Sequence, residues 1–150
     1  VAVGTCASYG GVAAAEPNPA GVQGVAEFTG GTVLNIPGCP PHPDWIAWGM
    51  TQLLDQQPIQ YDSEGRPFEL FKERLHDLCE RLLLDETEVL GVDNECQQPL
   101  GCRGQLCWAP CFRNHWNNEA NWCVDANAPC IGCTEPDFPT RDLYKSITNR

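Results

Sequence analysis

The sequence predicts an irregular α+β chain, loop-rich with few helices, ordered by bonds to sulfur more than by a continuous apolar core. Three observations predict it. Fourteen glycines and 13 prolines in 150 residues break the chain into turns. Ten cysteines, at positions 6, 39, 79, 96, 102, 107, 111, 123, 130 and 133, are more than a chain of this size carries without using them. Seven of the ten fall between 96 and 133, a stretch with almost no periodic apolar pattern, which burial alone does not hold together.

The elements follow in order. Val1-Ala2-Val3 before Gly4 reads as the end of a buried strand, so the sequence reads as the rear part of a longer polypeptide or one half of a split subunit. Residues 4–31 read as loops with one short helix after Gly10-Gly11. Thr32–Ile36 is a short β-like run closed by Pro37-Gly38. Pro43 and Asp44 suit a first helical turn, and Ile46, Met50 and Leu53 follow at helical spacing. Gln57–Arg66 is a polar turn. Pro67 opens a second helix whose stripe is Phe68, Phe71, Leu75, Leu78 and Leu82, stepping by three and four. His76 and Cys79 are three apart on that stripe and are expected on one helical face. After Leu90 regular structure fades.

Charge excludes whole classes. Nine Lys and Arg against 20 Asp and Glu give a formal net charge of −11. A nucleic-acid binder needs a basic stripe, and anionic lipid repels such a chain. No apolar run approaches the roughly 18 residues of a membrane helix. No Ser/His/Asp arrangement, glycine-rich phosphate loop or paired-carboxylate pattern stands out.

The cysteines admit three readings. Five disulfides suit the even count and a secreted acidic chain. Structural zinc usually comes as two tight Cys-x2-4-Cys pairs, and only Cys130-x2-Cys133 is present. Iron–sulfur ligation tolerates irregular spacings and Cys/His mixtures. It fits His76-x2-Cys79, Cys96-x5-Cys102, Cys107-x3-Cys111, Cys123 and Cys130-x2-Cys133 best.

Longer motifs then resemble the nickel–iron hydrogenase small subunit. They are Gly4-Thr5-Cys6-Ala7-Ser8-Tyr9-Gly10-Gly11 with Pro17-Asn18-Pro19, Ile36-Pro37-Gly38-Cys39-Pro40-Pro41, His76-Asp77-x-Cys79, Leu100-Gly101-Cys102-Arg103-Gly104, and Pro129-Cys130-Ile131-Gly132-Cys133-Thr134-Glu135-Pro136-Asp137-Phe138. They stand in the family's order from Gly4 to Phe138. The resemblance implies an electron-transfer subunit with three iron–sulfur clusters in a row and no catalytic residue of its own. The nickel–iron site, where H2 is oxidised or protons are reduced, would belong to a separate large subunit. By motif match, Cys6 and Cys39 would bind a proximal 4Fe-4S cluster. His76, Cys79, Cys96 and Cys102 would bind a distal 4Fe-4S cluster with one imidazole ligand. Cys111, Cys130 and Cys133 would bind a medial cluster. Cys123 stands where many members have Pro and a 3Fe-4S centre, and a fourth thiolate there would make the medial cluster 4Fe-4S.

The resemblance also divides the chain. Residues 1–66 would be the end of a flavodoxin-like α/β part whose first strands are missing, and 67–150 the medial and distal cluster domain. Three four-iron clusters take roughly twelve protein ligands, whereas ten cysteines and His76 supply at most eleven. The family's proximal cluster takes two further cysteines from the missing part. A chain or segment outside this one is therefore expected to supply them. The other expected partners are the large subunit and a redox partner docking near the distal cluster, with no nucleic acid. The compartment is open, leaning to the periplasm or membrane over the cytoplasm. Two rivals stay open: a related complex without hydrogen turnover, and a secreted disulfide module.

The remaining residues read more plainly. Cys107 matches no family position and is expected as a free thiol. Gly11 lies where oxygen-tolerant members add a proximal cysteine, and the sequence gives that specialised cluster no support. His42 is expected at the surface or behind a ligand, and His115 in packing or solvent. Trp45, Trp48, Trp108, Trp116 and Trp122 read as packing or interface residues. Glu80, Asp85, Glu86 and Glu88 read as a solvated face that could also guide a basic partner.

Overall fold

The computed structural model describes residues 1–139, and the last part of the 67–150 segment, 140–150, lies outside the described residues. The chain forms two units. One is Val1–Lys72 together with the segment that begins at Cys133, the other Glu73–Gly132.

In the first unit, short β-prone runs pair as two parallel strands, β1 (Ala2–Val3) and β2 (Asn35–Ile36), with Ala2 opposite Asn35 and Val3 opposite Ile36. Bonds from Ala2 N–H to the Leu34 carbonyl and from Gly4 N–H to the Ile36 carbonyl, both 2.9 Å, fix the register. Helix α1 (Thr5–Tyr9) follows β1 directly and stops at Gly10. The expected helix after the glycine pair is only a 3-10 turn at Gly11–Ala14. The helix moves forward because Gly10 sits at φ 89°, a left-handed position that ends a helix. Helix α2 (Val25–Thr29) ends on a left-handed Gly30.

Helix α3 (Pro43–Leu54) begins with Pro in its first turn, and the His42 ring Nδ1 accepts the Asp44 N–H at 3.1 Å. His42 is therefore a buried helix cap, 7% exposed, and not a surface residue. The expected stripe is displaced by one position. Trp45 and Gly49 are buried, while Met50 and Leu53 are 43% and 42% exposed. Gly49 decides the rotation: a Cβ there would stand 3.1 Å from Ile36 Cδ1, so the helix lies close on β2 through the position without a side chain. Trp45 meets Phe71 edge-on at 5.4 Å, and with Ile36 these form the core of this unit.

The long helix expected from Pro67 does not form. Helix α4 is only Phe68–Phe71, and a separate 3-10 turn spans Leu75–Leu78. Arg74 is extended, with ψ 128°, and the Leu75 N–H donates to the Cys107 carbonyl at 2.8 Å instead of to the carbonyl four residues back. A tertiary hydrogen bond has overridden a helical period. Phe71 and Leu75 are buried as the stripe predicts, but Phe68, Leu78 and Leu82 are exposed.

The second unit has no sheet among its described residues. It is built from 3-10 turns at Leu75–Leu78, Gln98–Leu100 and Gly104–Leu106, helix α5 (Cys111–Asn114), and isolated bridges Glu86–Cys96 and Trp116–Asn121. No helix among the described residues is long and apolar enough to cross a membrane.

Candidate functional site

Short turns place four donors around one cavity of the second unit. His76, Cys79, Cys96 and Cys102 all line it, with Leu75, Arg81, Gln97 and Gly104. His76 lies in the 3-10 turn and Cys79 is the extended residue that ends it. They do not share a helical face, yet they reach the same space. The Cys96 backbone is pinned by its N–H to the Asp85 carbonyl, 2.7 Å, and its carbonyl to Thr87 N–H, 2.9 Å. Burial pushes the Cys79 thiol up, while the Arg81 N–H and guanidinium pull it down. Burial likewise raises Cys102, opposed by N–H donors from Gly104 and Cys130, and the sulfurs of Cys79 and Cys96 are near enough to add to the rise. Backbone amides thus aim at sulfur, which favours the thiolate form.

Arg81, missed by the sequence reading, holds this wall. It is 9% exposed and donates to the Glu95 carbonyl at 3.2 Å and the Asn127 Oδ1 at 2.6 Å. Its only sequence signal is a basic residue among acids two positions after Cys79.

A second sulfur group lies in the same unit. Cys130 is buried, its Sγ accepts the Gly132 N–H at 3.4 Å, and its thiol stands well above its ordinary value. The first cause is a side-chain hydrogen bond with Cys107, then burial, then the nearby sulfurs of Cys107, Cys102 and Cys111. Cys107 is in no disulfide and is 1% exposed, with the Cys130 side chain as a neighbour. Cys123 keeps an exposed edge, yet protein packed beside it raises its thiol, with Cys107 near enough to add to the rise.

In the first unit, Cys6 and Cys39 leave the carboxyl ends of neighbouring parallel strands, through Gly4-Thr5 and Pro37-Gly38. That edge is where open parallel sheets present ligands. Both cysteines are exposed. Thr5 ties the two loops: its N–H donates to the Gly38 carbonyl at 3.0 Å and its Oγ accepts the Gly38 N–H at 2.8 Å. The Thr5 hydroxyl also donates to the Cys133 carbonyl. Cys133 is thus fixed by the first unit, whereas Cys111 and Cys130 belong to the second.

Next to Cys133, Glu135 accepts two bonds from Arg66 Nη1, 3.0 and 3.1 Å, and Arg66 Nε donates to Asp62 at 2.7 Å. Thr5, Arg66 and Glu135 were not singled out by the sequence reading, although Thr5 and Glu135 stand inside its motifs. Gly11 (φ +51°) presses on Cys6: a Cβ there would lie 2.9 Å from the Cys6 nitrogen and sulfur. Gly11→Ala is expected to cost about 1–2 kcal/mol from the backbone alone and to displace Cys6. An unchanged Tm would contradict this.

The other candidates fall into place separately. His115 Nδ1 is 3.4 Å from the Glu119 carbonyl, and its ring stacks on Trp122 at 6.4 Å. Trp45 and Trp122 are buried, and Trp108 is exposed. The Trp122 Nε1–H is buried without a hydrogen-bond partner. Glu80, Asp85, Glu86 and Glu88 form the exposed face expected, interleaved with exposed Leu82, Leu83 and Leu84.

No disulfide links any of the ten cysteines. Among the described residues no three His, Cys, Asp or Glu side chains converge as a single metal ion demands. A zinc ion draws four donors to about 2.0–2.3 Å from one point, whereas each iron of a cluster takes its own ligand. Three thiols and an imidazole around one cavity, with amide donors on the sulfurs, fit a polynuclear centre. The unpartnered Trp122 N–H beside Cys123 is a donor that an inorganic sulfide would satisfy.

Comparison with known proteins agrees. Residues 71–144 match the family of the C-terminal part of the NiFe/NiFeSe hydrogenase small subunit, and residues 1–53 match that of the NADH ubiquinone oxidoreductase 20 Kd subunit. The periplasmic [NiFeSe] hydrogenase small subunit of Desulfomicrobium baculatum is 42% identical over 93% of this chain and 49% of its own length. The periplasmic [NiFe] hydrogenase small subunit of Solidesulfovibrio fructosivorans is 38% identical over 92% and 46%. The solved [NiFeSe] hydrogenase from Desulfovibrio vulgaris Hildenborough superposes with a TM-score of 0.89 at 38% identity, covering 96% of this chain and 59% of that chain. The chain spans about half the length of the curated relatives it matches. It belongs to the nickel–iron hydrogenase small-subunit family.

Proposed function

We propose that this chain is the electron-relay part of a nickel–iron hydrogenase, carrying electrons between a nickel–iron centre on a large subunit and an external acceptor. The carrying observation is the single cavity lined by His76, Cys79, Cys96 and Cys102. These four residues would hold the distal 4Fe-4S cluster. Cys111, Cys130 and Cys133 would hold the medial cluster, with Cys123 as the fourth ligand of a 4Fe-4S centre. Cys6 and Cys39 would hold half of the proximal cluster, and two cysteines outside this chain the rest. Iron–sulfur clusters bound at these residues would supply one-electron chemistry.

This chain's own residues do the remaining work. Thiolates and one imidazole bind iron. Amide donors from Arg81, Gly104 and Gly132 favour the charged sulfurs, and the Arg81 guanidinium offsets negative charge at the distal wall. Leu75, Val124 and Pro129 limit water in the cavity. The acidic face at Glu80, Asp85, Glu86 and Glu88 lies in sequence beside Cys79 and Cys96, and suits a basic redox partner. The relatives named as periplasmic support a periplasmic or membrane-associated setting.

The match of residues 1–53 to an NADH ubiquinone oxidoreductase family favours a second reading, a relay in a complex without hydrogen turnover. Anaerobic EPR of the assembled enzyme under hydrogen separates the two. Reduced-cluster signals that appear with H2 support the first reading. Clusters present but indifferent to H2 support the second. Replacing Cys123 with serine is expected to convert the medial centre to 3Fe-4S, seen in oxidised samples. A 3Fe-4S signal already present in the unaltered protein would show that Cys123 is not a ligand.

A further inference from the structure

We infer that Thr5 is a positioning residue for the relay: its hydroxyl locks the backbone of Cys133 to the two loops that carry Cys6 and Cys39, and so fixes the separation between the proximal and medial centres. The inference rests on the cluster reading above. Three observations carry it.

The first is the bonding of one oxygen atom. Thr5 is 1% exposed. The Gly38 N–H donates to Thr5 Oγ at 2.8 Å, and the Thr5 hydroxyl donates to the Cys133 carbonyl. The direction of both bonds is fixed, since an amide N–H only donates and a carbonyl only accepts. Cys6 follows Thr5 and Cys39 follows Gly38 in the chain, and Cys133 is itself the acceptor. The hydroxyl therefore joins backbone at, or one residue from, three of the proposed ligands.

The second is the rigidity of the frame that holds that oxygen. Thr5 opens helix α1, so its N–H has no partner inside the helix and donates instead to the Gly38 carbonyl at 3.0 Å. The turn at Gly38 is closely packed, because a Cβ there would stand 2.4 Å from the Pro41 Cα. The branched Thr5 side chain has few rotamers of its own. The third observation is a division of labour. Arg66 Nη1 reaches the Thr134 carbonyl at 3.5 Å and the Glu135 carboxylate, so it anchors the chain after Cys133. Thr5 takes Cys133 itself. All of these residues belong to the first unit.

Hydrogen bonds behind a ligand orient it, and a site works only when such support is locked. Electron exchange between two centres falls steeply with their separation, so a clamp on that separation bears on the relay directly. Valine keeps the branched shape of threonine but leaves the Gly38 N–H and the Cys133 carbonyl without this partner. Serine keeps the hydroxyl and loses only the methyl group.

The test uses the assembled, cluster-loaded enzyme with Thr5→Val and Thr5→Ser. Iron content is measured first, then the magnetic interaction between the two reduced centres, seen as a splitting in low-temperature EPR. Both variants are expected to keep their iron. The splitting narrows in the valine variant and returns in the serine variant. An unchanged splitting in the valine variant would reduce Thr5 to packing and overturn the inference. A splitting narrowed equally in both variants would assign the effect to the methyl group and overturn it too. Where the valine variant does not assemble, the serine variant decides: the native splitting upholds the role of the hydroxyl, and a narrowed one overturns it. An unaltered enzyme without iron and sulfide would remove the cluster reading itself, an outcome distinct from these.

Discussion

Replacing Arg66 with methionine is expected to destabilise the first unit by about 3–5 kcal/mol, the range for removing one member of a buried ion pair. Arg66 is 4% exposed and bridges Asp62 and Glu135, with its guanidinium 5.3 Å over the Phe71 ring. Burial alone would lower its pKa, but Glu135 and Asp62 reverse this and raise it, so the charge is held firmly. Methionine keeps the apolar stem and leaves two carboxylates uncompensated, Glu135 at 7% exposure. Glu135 follows Cys133 by two residues, so the loss loosens a cysteine assigned to the medial cluster. The measurement is thermal unfolding of the loaded protein. A Tm lower by roughly 6–20 °C is expected for a chain of this length, with Asp62→Asn costing less. A change under about 1 kcal/mol would show that solvent screens the network.

The second large effect is at Cys96. Cys96 lines the cavity of the second unit, but its backbone is anchored independently by Asp85 and Thr87. Cys96→Ala therefore removes the proposed ligand and little else. The variant is expected to lose about four iron atoms, the content of one cluster, to keep its fold, and to lose electron delivery to external acceptors. His76→Cys, in contrast, is expected to keep the cluster at a lower potential, because a thiolate replaces a neutral ring. Full iron content in the Cys96→Ala protein would remove Cys96 from the ligand set.

One grouping of side chains was legible in the sequence because motif spacing is a local property. His76, Cys79, Cys96 and Cys102 were grouped by motif and meet in one cavity. Their support was not legible. The stripe from Phe68 to Leu82 has a faultless helical period, yet the chain breaks at Arg74, because the Leu75 N–H is taken by a carbonyl 32 residues away. Helix α3 was found, but its buried face was misread by one position, because Gly49 carries no apolar side chain to count. Arg66 and Arg81 looked like ordinary surface charges. Only their long-range partners, Glu135 and Asn127, show that they are buried anchors. Cys107 was left over by motif matching, and its burial is a tertiary property.

Iron and acid-labile sulfide analysis of anaerobically prepared, assembled enzyme tests the account most directly. Near-equal amounts, about twelve of each if all three clusters carry four irons, are the predicted result. Thiols found joined as disulfides, with neither iron nor sulfide present, would contradict it.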